Sequence, residues 1–100
     1  MKKYETPWSV GSMFICTKCG VAFDIPENAE NLKKDLRGYL KTLDAHQKIR
    51  VITSGCLNIC EKTEQAVVFQ PNDGATEVFT VDKNFGLALN DLKNFLDKKI

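Results

Sequence analysis

The apolar residues of this chain follow two rhythms. Leu32, Leu36, Tyr39, Leu40 and Leu43 recur at spacings of three and four, which draws one stripe along a helix reaching about Asp44. Start signals lie between Phe23 and Ala29: Asp24 can cap, Pro26 suits a first turn because it has no N–H to satisfy, and Glu27 and Glu30 favour the positive helix end. Gly38 weakens this helix without breaking its period. A second stripe joins Phe85, Ala88, Leu89, Leu92, Phe95 and Leu96, with Lys98 and Lys99 at the C-terminal end, where cations are favoured. The other rhythm is that of strands. "MFIC" at 13–16 is a short buried run, and Ile49, Val51 and Thr53 alternate with more polar neighbours apart from Ile52. "AVVF" at 66–69 and "TEVFTV" at 76–81 flank the turn "QPNDGA", tightest at Asp73-Gly74, and read as a hairpin.

The order is strand, helix, strand, loop, hairpin, helix. A crossover helix makes the first two strands parallel, the hairpin adds antiparallel partners, and the helices cover the sheet. The pattern predicts an α/β fold with a mixed four-stranded sheet (β-α-β-loop-β-β-α) and two helices. This is the layout of a thioredoxin-like sandwich whose usual second helix has shrunk to a loop. Residues 1–11 read as a flexible N-terminal arm, pinned by Trp8, and residues 12–100 as a single domain.

Charge narrows the function classes. Fourteen basic and thirteen acidic residues nearly cancel in a chain of 100, which gives no electrostatic basis for binding nucleic acid or an anionic membrane. No apolar run approaches the roughly 20 residues needed to span a bilayer. "MKKYETPWSVGS" has lysines but no apolar stretch behind them, so it does not read as a secretory signal. The expected address is cytoplasmic. Thiols there stay reduced, so four cysteines in so short a chain point to a metal or to redox chemistry.

Cys16 and Cys19 lie at the C-terminal end of the first strand, and Cys56 and Cys60 just beyond that of the second. Parallel neighbours end on one edge of their sheet, about 5 Å apart, and ligands in open α/β sheets favour that edge. Four thiolates there suit either tetrahedral Zn²⁺ or an iron–sulfur cluster. A single zinc needs every sulfur about 2.3 Å from one point, whereas a two-iron cluster accepts two separated pairs. "CTKCG" resembles a zinc knuckle, with Gly20 directly after the second cysteine; "GCLNIC" does not. Lys18 and Asn58 read as loop filler, and Leu57 and Ile59 as shields against water.

The stretch "VITSGCLNICEKTEQAVVFQPNDG" resembles the second half of a thioredoxin-like 2Fe-2S ferredoxin. The similarity extends in element order over about residues 12–100. The resemblance implies a 2Fe-2S cluster on Cys16, Cys19, Cys56 and Cys60, one-electron transfer to a redox partner protein, no catalysis by the chain itself, and often a homodimer. Members usually separate their first two cysteines by a longer loop; here only Thr17 and Lys18 intervene. All-cysteine ligation implies a potential in the region of about −400 mV, moved upward by Lys18 and Lys62.

The alternatives are an interaction module built on a structural Zn²⁺ held by all four cysteines, a dithiol–disulfide oxidoreductase built on "CTKC", and four cysteines acting as small buried hydrophobes. The dithiol reading lacks the proline that such proteins carry before the third strand; Pro71 follows that strand instead. Haem attachment needs His where Gly20 stands, and a Rieske centre needs two histidines where the chain has only His46. His46 is accounted for by a helix C-terminus. There is no cysteine-protease dyad and no glycine-rich phosphate loop. Asp73 and Glu77 are turn and solvent-face residues. Lys33, Lys34 and Lys41 read as a solvated face, with a docking patch for an acidic redox partner as the alternative.

Overall fold

A computed structural model of the chain describes residues 1–59 and 63–100. Four strands, β1 (Gly11–Cys16), β2 (Ile49–Ser54), β3 (Glu64–Pro71) and β4 (Glu77–Asp82), form one sheet in the order β2-β1-β3-β4. β1 and β2 run parallel, while β1–β3 and β3–β4 are antiparallel. The mixed four-stranded sheet expected from the pattern is present. Three helices accompany it rather than two: α1 (Thr17–Ala22), α2 (Asn28–Thr42) and α3 (Phe85–Asp97). Six residues are too few for a readable 3.6-residue period, which is why α1 escaped the pattern.

α2 and α3 pack against each other on one face of the sheet. Met13, Ile15, Ile49, Val51, Val67 and Phe69 point into that layer and meet Leu32, Leu36, Leu40, Ala88, Leu92 and Leu96. The alternating strand residues point the other way. Ile52, Phe14, Val68 and Val78 form one register row across the opposite face, as a period of two requires. Phe69 is fully buried and meets Phe95 edge-on, with centroids 5.4 Å apart.

Two helix ends explain where the sequence signals went. α1 stops with Ile25 N–H bonded to the Gly20 carbonyl at 2.7 Å and Asp24 N–H to the Val21 carbonyl at 3.3 Å. α2 stops alike, with Ala45 N–H on the Leu40 carbonyl at 2.8 Å and Asp44 N–H on the Lys41 carbonyl at 3.0 Å. Both are Schellman closures with a left-handed residue at their turn, Asp24 (φ 61) and Asp44 (φ 54). Asp24 therefore ends α1 and does not cap α2, whose N-cap is Glu27 without a side-chain bond. Leu43, expected on the buried stripe, falls at the C-cap of α2 and is 44% exposed. His46 lies exposed in the turn beyond the helix.

Residues 1–7 are exposed, and the chain is captured just after them. Asn72 donates to the Trp8 carbonyl at 2.7 Å, and Val10 N–H to the Lys48 carbonyl at 2.7 Å. Among the described residues no helix is long and apolar enough to cross a membrane. Gly38 is exposed within α2, and a Cβ there would meet nothing within 4 Å. Gly38→Ala is expected to raise stability by about 1 kcal/mol, read as a higher urea midpoint at unchanged slope.

Candidate thiolate centre

The parallel register sets Cys16 of β1 opposite Ser54 of β2. Cys16 is the N-cap of α1, still extended at φ −69 and ψ 122, and Cys19 lies in the first turn of that helix. The "CTKC" motif thus sits on a strand-to-helix junction, not on a loop. The Thr17 hydroxyl donates to the Ser54 carbonyl at 2.8 Å and ties this junction to the end of β2. Cys56 follows two residues later. It is exposed, and its sulfur accepts from Asn58 N–H at 3.3 Å across a turn in which Asn58 is left-handed (φ 61). Cys60 and Lys62 lie outside the described residues.

Cys16 and Cys19 are buried with Ala66 in a small cluster of their own, against which Phe23, Leu57 and Ile59 pack. Leu57 and Ile59, read from the sequence as shields against water, are half-buried against these thiols. Ala66 N–H donates to Cys19 Sγ at 3.4 Å. Burial alone would raise the Cys16 pKa, but backbone N–H groups of Leu57, Cys19 and Lys18, with the Cys19 thiol, outweigh it and hold Cys16 below the ordinary thiol range. Burial pushes Cys19 upward, Ala66 N–H opposes it, and the Cys16 and Cys56 charges reinforce it. In the metal-free protein, thiolate absorbance is expected to rise in separate steps, with the Cys16 step earlier in Cys19→Ser than the Cys19 step in Cys16→Ser.

The three described thiols share the C-terminal edge of β1 and β2. Among the described residues, no three histidine, cysteine, aspartate or glutamate side chains group tightly enough to hold a metal ion. What the arrangement does contain is one buried pair, Cys16 at the cap and Cys19 in the first turn of α1, with Cys56 near enough for its charge to act on Cys19. Gly20 has a local explanation: Ile25 closes onto it, and a Cβ there would run into the Ile25 carbonyl oxygen.

Two residues at this site had no signal in the pattern. Gln65 is fully buried at the start of β3, and Asn28 is buried at the start of α2. Each is a polar residue beside an apolar run, which in sequence reads as an element boundary.

The lysines of α2 lie elsewhere. Lys33 pairs with Glu30 at 2.8 Å, and Lys41 joins Arg37, His46 and Arg50 around a cleft of about 420 Å³ between α2 and the first half of β2. There Arg37 Nε donates to the Val51 carbonyl at 2.8 Å and covers part of the β2 edge. Comparison of the chain with family models, with curated proteins and with solved structures found no match in any of the three.

Proposed function

We propose that this chain is a one-electron carrier that holds a 2Fe-2S cluster on Cys16, Cys19, Cys56 and Cys60 in a thioredoxin-like frame. The observation that carries the reading is the sheet register. It delivers Cys16 and Cys19 from β1, and Cys56 from just beyond β2, to a single edge. The donor set fits thiolate ligation, since backbone N–H groups donate to the sulfurs of Cys19 and Cys56, as outer hydrogen bonds do around metal-bound ligands. A close pair with a third thiol standing apart suits a ligand set divided in two better than four sulfurs around one zinc. When bound, such a cluster takes up or releases a single electron. The chain's own work is to bury the pair under Phe23, Leu57 and Ile59 and to set the local field. The electron goes to or comes from a redox partner protein, and the carrier is assigned to the cytoplasm, where thiols stay reduced and free to ligate.

One observation favours a second reading, dithiol–disulfide exchange. Cys16 caps α1 with its thiol held towards ionisation, while its partner Cys19 is held towards the neutral form. Against it, Cys16 is only 1% exposed, so an incoming disulfide has little access to its sulfur.

The test is a visible spectrum of protein purified without oxygen, with iron, sulfide and zinc assayed on the same sample. About two irons and two sulfides per chain, with a brown colour bleached reversibly by a reductant, is the expected result. A colourless chain holding one zinc would make the centre structural. A metal-free chain whose thiols cycle between two oxidation states would leave dithiol exchange.

A further inference from the structure

Gln65 is 0% exposed, yet it carries a side-chain amide into a layer otherwise lined by Val67 and Phe69. Its Nε2 donates to the Cys16 carbonyl at 2.7 Å and to the Ala66 carbonyl at 3.0 Å, and its Oε1 accepts from Asn28 Nδ2 at 2.9 Å. The orientation is fixed, because both neighbours of Nε2 are acceptors and the neighbour of Oε1 is a donor. One side chain thereby joins the end of β1, the start of α2 and β3. The next residue continues the grip, since Ala66 N–H donates to Cys19 Sγ at 3.4 Å. The Gln65-Ala66 dipeptide therefore holds Cys16 through its carbonyl and Cys19 through its sulfur.

Packing alone does not call for this arrangement. An apolar side chain at position 65 would fill the space without a buried amide to satisfy. The network also leaves Asn28 Oδ1 buried with no hydrogen-bond partner among the described residues. Its shortest bond ends on the backbone carbonyl of Cys16, the residue that is both the end of β1 and the cap of α1. We infer that Gln65 is a positioning residue for the thiolate centre, its amide fixing where the Cys16 thiol stands relative to Cys19. The inference deepens the metal-centre reading, but its test reads the thiols of the metal-free chain, so the two stand or fall separately.

The experiment compares rates of iodoacetamide labelling at Cys16 and Cys19, resolved by peptide mass and normalised to exposed Cys56, in the reduced full chain. Gln65→Met keeps the length and removes all three side-chain hydrogen bonds, including the one to the Cys16 carbonyl. It is expected to change the Cys16:Cys19 rate ratio by about tenfold, the scale of one lost hydrogen bond. Leu40→Ala, buried near the end of α2 away from the thiols, is the control. It should speed both labels together by general destabilisation and leave the ratio near that of the parent. An unchanged ratio in Gln65→Met, or an equal change in Leu40→Ala, overturns the inference. Should Gln65→Met fail to fold, Asn28→Ala removes only the donor to Oε1; a smaller shift in the same ratio is expected, and no shift overturns it. A chain that binds no metal but shows the ratio change keeps Gln65 as the positioning residue and drops the cluster. A chain that binds metal without the ratio change does the reverse.

Discussion

Gly20→Ala is expected to lose on the order of 3 kcal/mol of stability, at the upper end of what overpacking costs, and to lose metal binding with it. The added Cβ would overlap the Ile25 carbonyl oxygen, which is backbone and has little room to yield. That carbonyl also accepts from Asn28 N–H at 3.0 Å, while Ile25 N–H returns to the Gly20 carbonyl at 2.7 Å. Relieving the overlap therefore opens the end of α1 and loosens the start of α2 together. Cys19 is the preceding residue, and Asn28 is the first member of the chain of bonds leading through Gln65 to Cys16. Thermal unfolding should show a midpoint lower by roughly 10 °C or more. Gly55→Ala, beside Cys56, is the contrast: its Cβ meets nothing within 4 Å among the described residues, and stability should stay within about 0.5 kcal/mol. Equal midpoints for Gly20→Ala and the parent would show that the return onto Ile25 does not hold this segment.

The same glycine shows where sequence reasoning reached its limit. Spacing revealed the long helices, because Leu32, Leu36, Leu40, Leu92 and Leu96 must all face one layer, and all five are fully or almost fully buried. Alternation revealed the strands, although pairing extends β1 back to Gly11 and β3 over Glu64–Pro71, beyond their apolar centres. The short helix α1 was hidden because its stability comes from contacts with α2 and β3 and from the Ile25 return, not from its own six residues. Asp24 carries the same side chain whether it begins a helix or ends one, and only its positive φ distinguishes the two. For the site, the parallel order of β1 and β2 was legible and brings Cys16 beside Ser54. The roles of Gln65 and Asn28 were not, since a buried amide is recognised by its partners, and those lie 37 and 49 residues away in the chain.

Cys56→Ser is expected to abolish the visible spectrum while leaving the metal-free fold as stable as the parent, within about 0.5 kcal/mol. Cys56 is exposed, and among the described residues its sulfur hydrogen-bonds within the Asn58 turn alone, so a hydroxyl there leaves the buried cluster untouched. The buried pair should behave differently. Cys16 and Cys19 lie among Ala66, Phe23, Leu57 and Ile59, and replacing a thiol by a more polar hydroxyl there costs on the order of 1–2 kcal/mol even without metal. Loss of metal in Cys16→Ser or Cys19→Ser is thus compounded with loss of packing, whereas in Cys56→Ser it isolates ligation. Cys60→Ser should match Cys56→Ser in iron content, since a cluster on four thiolates needs both members of its second pair. Iron, sulfide and visible absorbance would be measured on each variant, with the unfolding midpoint of the metal-free form beside them. An unchanged spectrum in Cys56→Ser and Cys60→Ser would remove the second pair from the centre. Loss of thiol redox cycling confined to Cys16→Ser and Cys19→Ser would then turn the chain into a two-cysteine redox protein.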